Sequence, residues 1–476
     1  MSALSNVAVN RFTAPACFAC GLLFLLSCAP ATNSTPTHTT VADERAEDAT
    51  RTAPSAMLGE VPQPPFAEDL DPDPNTVRVE LRAQIISDDD TGRRYGYNGI
   101  SPGPTIVAKP GDRVIVELIN ELPDPTTIHW HGLHVPFAMD GVVWQGAPVA
   151  PGATFTYEFV IDQAPLTSWY HPHFNTAQQV DGGLFGAFIV EDPSAPVVGE
   201  DLLFILDSVD EYDPNGPDLA AGHGQNMRRW QVNGVEDGVL TLSGGSVVRA
   251  RFLNVSNHGY ALMQWPGEPN QIASDQGLLP ALAQPRDLAL GAGDRVEVVW
   301  LIGEESFDVV TEGYSLNGGE TRRGDTRLMR VEVDSPAAAP PVPSFAFSGE
   351  APSANPDYAD IVYALAGSDR SDTWRINGEA FPNVTIETVP AGEARIIEVR
   401  NLSPTEHPFH IHGMSFEVLS VNGEPVQTRT IEDTINIGIR DIVRLRIETS
   451  NIGDWMTHCH ILEHADSGMM TVLRVE

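Results

Sequence analysis

The sequence of 476 residues predicts an all-β protein built from three tandem β-sandwich domains. One segment recurs three times: Tyr97 to Asn120, Gln231 to Asn254 and Arg375 to Asn401. Each copy holds an Asn-Gly turn, a short strand, a Gly-containing turn and an alternating strand that ends in Asn. Recurrence on this scale marks repeated structural units. Apolar and polar residues also alternate over short runs bounded by Gly and Pro, the pattern of half-buried strands rather than helices. The length suits two to four domains.

The elements follow in chain order. Residues 1–27 are expected to be an export signal, with Arg11 ahead of a mainly apolar run from Ala14 to Leu26. That run is too short for a confident membrane span. It ends Leu25-Leu26-Ser27-Cys28, similar to the box at which bacterial lipoproteins are cleaved, here before Cys28. A plain secretory cut near Ala29 to Ala31 is the alternative. Lipidated Cys28 would tie a soluble domain to a membrane. The expected location is therefore an exported, periplasmic or cell-envelope lipoprotein of a bacterium. Residues 28–74, rich in Thr, Ala, Pro, Asp and Glu, read as a disordered tether. The three sandwiches are expected over 75–195, 196–335 and 356–476. A linker at 336–355 is marked by Pro336, Pro340, Pro341 and Pro343.

A formal net charge of −37 and a pI near 4.5 argue against nucleic-acid binding, which needs a basic footprint. Cys17 and Cys20 would leave with the signal and Cys28 would carry lipid, so Cys459 remains as a single thiol with no disulfide partner.

Ten of the 14 histidines fall in four clusters: His129-Trp-His131, His171-Pro-His173, His407-Pro-Phe-His410-Ile-His412 and His458-Cys-His460-Ile-Leu-Glu-His464. In a strand, alternate side chains share a face, so each His-x-His pair aims two imidazoles the same way. Cys459 points opposite to His458 and His460, which makes it a covalent link between two sites. Cys459 with His464, Met469 and one more imidazole matches the soft donor set of a blue-copper site. Eight paired histidines remain, enough for three copper ions with open positions. A closed structural zinc site uses four ligands and accounts for less than half of this set.

These four motifs, in this order, resemble those of the multicopper oxidases of the three-domain laccase type. The resemblance implies cupredoxin-like Greek-key domains and four copper ions: one type 1, one type 2 and two type 3. It implies His407, Cys459 and His464 at the type 1 copper, with Met469 as the weak axial ligand. His129 and His410 would bind type 2. One type 3 ion would take His131, His171 and His460, and the other His173, His412 and His458. Dioxygen is the implied partner, together with a small-molecule or metal-ion electron donor. Proton delivery calls for a carboxylate near the cluster. Asp140 matches an acidic position of the family, although a turn aspartate before Gly141 reads equally well. Many bacterial relatives carry Glu where this chain has Ala465, leaving Asp466 and then Glu463 as substitutes. The ten methionines form no cluster outside Met469-Met470, which favours phenolic or aromatic-amine donors over a dedicated cuprous oxidase. The second domain, with His223 and His258 only, is expected to serve as a spacer.

Overall fold

The computed structural model describes Gly59 to Glu476, apart from residues 90–91, 145, 193, 196–198, 212–226, 268–269, 285–287, 314–324, 335–343 and 369–372. The expected signal, Cys28 and His223 lie outside the described residues. The fold is all-β, as the alternation predicts, in three successive sandwiches. The first pairs a sheet of strands Gly92–Tyr97, Thr76–Asp89, Arg113–Asn120 and Thr154–Val160 with a sheet of Gly103–Ala108, Gly186–Val190, Leu166–His171 and His129–His131. Seven- and five-stranded sheets make up both the second and the third sandwich. The helices among the described residues are short, notably Thr176–Asp181 and Leu462–Asp466.

The internal repeat has a physical basis. In every copy the alternating strand lies parallel to the strand one before the one that runs into the Asn-Gly turn: Arg113–Asn120 on Thr76–Asp89, Val247–Asn254 on Glu200–Glu211, and Ala394–Asn401 on Ile361–Ser368. The turn asparagines Asn98, Asn233 and Asn377 take positive φ of 54°, 52° and 54°, which Asn tolerates better than most residues. Each bonds the neighbouring strand through its amide: Asn98 Nδ2 to Glu80 O, Asn233 Nδ2 to Leu203 O and Asn377 Nδ2 to Val362 O. The terminal asparagines Asn120, Asn254 and Asn401 are buried, and each uses Nδ2 to tie the loop that follows it (Asp124 O, Gly259 O, Thr405 O) to a more distant backbone carbonyl (Val149 O, Leu290 O, Ile437 O).

Two expectations need correction. Residues 59–74 do not belong to a disordered tether. Glu60 bridges to Val239, Val61 is buried in the second core, Gln63 Oε1 accepts from Leu203 N, and Phe66 bridges to Thr105. Backbone pairing to sheet edges holds this segment, and composition carries no signal of such pairing. The end of the expected linker is also docked. Phe345 and Phe347 pack on Val247, Ile272, Ala273 and Val299, while Ser353 bonds Glu417.

A buried ion cluster joins the first two sandwiches. Arg251 Nη1 donates to Glu297 Oε1 and to Thr167 Oγ1, Thr167 Oγ1 donates to Glu297 Oε1, and Arg249 Nε and Nη2 donate to Glu297 Oε2. Burial alone would raise the Glu297 carboxyl, but Arg251, Arg249 and the Thr167 hydroxyl overcome it and bring it down to about 2. A lowered folded-state pKa stabilises above the unfolded value and loses that effect as pH falls through the folded one. Glu297→Gln is therefore expected to cost about 3 kcal/mol near neutral pH, a cost that fades between about pH 4.5 and pH 2. Urea unfolding of both proteins across that range measures it. A cost that does not change with pH would contradict the assignment.

Candidate metal centres

Strand pairing brings the four histidine clusters together. His129–His131 runs antiparallel to Leu166–His171 with His129 opposite His171. In the third domain His410 lies opposite His458 and Phe409 opposite Cys459. The two domains then meet ring to ring. His129 stacks on His412 with centroids 3.8 Å apart, and His131 stacks on His410 at 3.9 Å. One ligand atom from each of His129, His131 and His410 lies within 4.8 Å of the others, and the same holds for His131, His171 and His460 and for His173, His412 and His458.

Five of these rings have Nδ1 engaged on their outer side. His129 Nδ1 donates to Asp140 O at 3.1 Å, His171 Nδ1 to Pro172 O at 2.9 Å, His410 Nδ1 to Asp433 O at 2.8 Å, His412 Nδ1 to Asp140 Oδ2 at 2.9 Å and His458 Nδ1 to Cys459 O at 2.9 Å. The inner nitrogens have no such partner. His129 Nε2, His171 Nε2 and His410 Nε2 are buried without one, as are both ring nitrogens of His460. The Nε2 atoms of His412 and His173 face Nε2 of His458 at 2.9 and 3.5 Å. With the proton of His412 and His458 fixed on Nδ1, two lone pairs confront each other, an arrangement that a metal cation bound by both would relieve. His131 is reversed: Nε2 is bonded to Asp433 Oδ1 and Thr434 Oγ1, each at 3.0 Å, and Nδ1 is left free.

Burial first, and neighbouring imidazoles second, push His131, His171, His173, His410, His412 and His460 well below the ordinary histidine range. Burial brings His458 down to about 4 and His407 to about 3. All stay neutral at pH 7 with lone pairs available, the state that metal binding needs.

The second centre lies on the other face of the Cys459 strand. Cys459 Sγ is 3.4 Å from His407 Nδ1 and 3.7 Å from His464 Nδ1, and the two nitrogens are 3.4 Å apart. The centre of such a triangle lies about 2 Å from each corner, the length of a bond from a borderline metal to nitrogen or sulfur. Ser403 Oγ accepts from His407 Nε2 at 2.7 Å, turning Nδ1 inward. Met469 is buried beside Cys459, with Cys459 N donating to Met469 O at 3.1 Å. Trp374 stacks on His464 at 3.6 Å, a contact the sequence does not signal. Burial pushes the Cys459 thiol up, so a bound cation is what would favour its thiolate.

The acids divide clearly. Asp140 is buried, and its two carboxylate oxygens accept from His129 Nδ1 at 3.2 Å and His412 Nδ1 at 2.9 Å, one ring from each domain. It also closes a turn, donating its N–H to Phe137 O. Asp466 is held elsewhere: Oδ2 accepts from Ala177 N at 3.0 Å, tying the third domain to the first. Glu463 Oε1 accepts from Asn257 Nδ2 at 3.3 Å and lies 3.5 Å from His258 Nδ1. Sequence reasoning missed Asp433, Thr434 and Arg295. Their only trace is the glycine of His129-Trp-His131-Gly132, whose φ is +80° and where a Cβ would meet Asp433 Oδ2 at 2.5 Å and Arg295 Nη2 at 2.6 Å.

A three-sandwich scaffold with a Cys-His₂ centre one residue from a histidine-only centre defines a copper oxidoreductase. Family models described as multicopper oxidase match residues 81–195 and 353–476. The chain is 32% identical over 404 residues to multicopper oxidase mco of Staphylococcus haemolyticus, covering 80% of this chain and 83% of that protein. Among solved structures it is similar to a multicopper oxidase from Campylobacter jejuni described as a metallo-oxidase (TM-score 0.76, 25% identity, 90% of this chain and 99% of that one). It is also similar to a laccase from Pediococcus acidilactici (TM-score 0.76, 27% identity, 90% and 95%). The chain belongs to the multicopper oxidase family.

Proposed function

We propose that this protein couples four one-electron oxidations of a phenolic or aromatic-amine donor to the four-electron reduction of dioxygen to water. The observation that carries the reading is that the inward Nε2 atoms of His129, His171 and His410 have no partner while their outer Nδ1 atoms are bonded. His407, Cys459 and His464 would hold the type 1 copper with Met469 as axial ligand. His129 and His410 would hold type 2. His131, His171 and His460 would hold one type 3 ion, and His173, His412 and His458 the other. Copper at these positions supplies one-electron redox chemistry and a place for dioxygen to bind. Cys459 joins the two centres through a single peptide step on either side, to His458 and to His460. Asp140 holds rings of both domains in the tautomer that faces Nε2 inward, and as a carboxylate that touches a ring from each domain it is the candidate to pass protons inward. The buried walls exclude bulk water from the histidine centre.

The donor class rests on the methionines, which form no cluster beyond Met469-Met470. Similarity to a protein described as a metallo-oxidase favours a second reading, oxidation of Cu(I), Fe(II) or Mn(II). A non-catalytic copper-binding role fits poorly with ten retained histidines and Cys459. Oxygen uptake by copper-loaded protein separates these readings. Fast uptake with 2,6-dimethoxyphenol supports the laccase reading, uptake only with Cu(I) or Fe(II) the metallo-oxidase one, and none with any donor the binding role. For the cell-envelope location, Cys28→Ser is expected to move the protein from the membrane fraction to the soluble one; equal partitioning would overturn lipidation at Cys28.

A further inference from the structure

The second domain supplies none of the expected ligands, yet its side chains reach the histidine centre. Arg295, fully buried, sits where all three sandwiches meet. Nε donates to Thr167 O of the first domain at 3.0 Å, Nη1 to Gly293 O of its own domain at 3.1 Å and Nη2 to Asp275 O at 3.1 Å. The remaining two donors grip the Asp433 carboxylate of the third domain, Nη1 to Oδ1 at 2.7 Å and Nη2 to Oδ2. Every N–H of the guanidinium is thereby used, in a fork that a lysine lacks.

The grip continues inward. Asp275 Oδ2 accepts from Thr434 N at 3.1 Å, and Oδ1 accepts from Arg295 N at 2.8 Å. Gln276 Nε2 donates to Asp433 Oδ2 at 2.6 Å and to Gly132 O at 2.8 Å. Asp433 Oδ1 and Thr434 Oγ1 in turn occupy His131 Nε2, while Asp433 O accepts from His410 Nδ1. The outer nitrogens of one ring from the first domain and one from the third are therefore fixed by a two-residue segment that the second domain clamps. His131 differs from His129, His171 and His410 in presenting Nδ1 inward, and Asp433 with Thr434 is the pair that holds it so.

We infer that Arg295, with Asp275, is a positioning residue for the histidine centre, fixing through Asp433 and Thr434 which nitrogen of His131 faces the metal. The inference rests on the reading that these imidazoles hold copper. It makes the second domain part of the centre's construction rather than a spacer.

The test compares copper-loaded wild type with Arg295→Met, Arg295→Lys and Thr434→Val, following each under a copper chelator. The readouts are total copper, the blue band of the Cys459 centre and the electron paramagnetic resonance signal of the type 2 ion. Loss of an outer-shell partner weakens metal retention about 10- to 100-fold. That weakening is expected at the histidine centre in Arg295→Met, with the blue band unchanged, the type 2 signal altered, and partial recovery in Arg295→Lys. Thr434→Val changes no charge, and it is expected to show the same selective loss even where Arg295→Met does not fold. Copper held as tightly as in wild type by the folded variants would overturn the inference, and so would parallel loss from both centres. A wild-type protein that binds no copper at the histidine centre would instead refute the proposed function.

Discussion

Cys459→Ser is expected to abolish the blue band and to lower donor-dependent oxygen uptake by on the order of 10³ or more, the scale of loss when one member of a catalytic unit is removed. The serine hydroxyl is a hard, neutral donor in place of a soft thiolate, so the triangle with His407 and His464 loses the sulfur that suits copper. It also loses the bond sequence through which this centre adjoins His458 and His460. The swap is nearly isosteric in a buried position, and the fold should persist. The histidine centre should keep its copper and its type 2 signal. Visible absorption, metal analysis and oxygen uptake on one preparation check all of this. Retained turnover without the blue band would contradict the assignment.

Asp140→Asn is expected to have the next largest effect. The aspartate accepts from His129 Nδ1 and His412 Nδ1 with separate oxygens. Asparagine offers one acceptor and turns an N–H toward the other ring, so one bond is lost and a donor faces a donor. Hydrogen bonds to a charged group contribute about 1.5–3 kcal/mol, and losing an outer-shell partner lowers metal affinity or activity about 10- to 100-fold. A fall of that size in copper retention at the histidine centre is expected, with the blue band intact. A proton-donor role for Asp140 adds a changed pH profile of turnover, whereas positioning alone leaves the profile's shape as in wild type. Full activity with normal copper retention would contradict both roles.

Much of the site was legible because its information is local. The spacing His-x-His sets two imidazoles on one face, and Cys459 between two histidines sets the opposite face, whatever the rest of the chain does. The three Asn-Gly turns and terminal asparagines were legible because they recur at fixed places in a repeat that the sequence itself displays. What was not legible depends on partners far apart along the chain. Arg295 and Asp433 are 138 residues apart, and Thr434 is 303 from His131. Asp433 stands in an ordinary strand-like stretch, and no periodicity marks it as the acid that fixes a ligand. Asp466 drew notice for its place beside the last motif, but Ala177, the residue it binds, lies 289 positions away. Residues 59–74 were misread because pairing to the edge of a distant sheet leaves no mark on composition.

The most direct test of the central claim is a stoichiometric one on copper-loaded protein. Oxygen consumed, donor electrons delivered, peroxide released and copper bound per chain are measured together with a phenolic donor. The account predicts four copper ions per chain, one dioxygen consumed for every four donor electrons, and no peroxide. Peroxide accumulating at one per two electrons, or full turnover by protein holding copper only at the Cys459 centre, would contradict it.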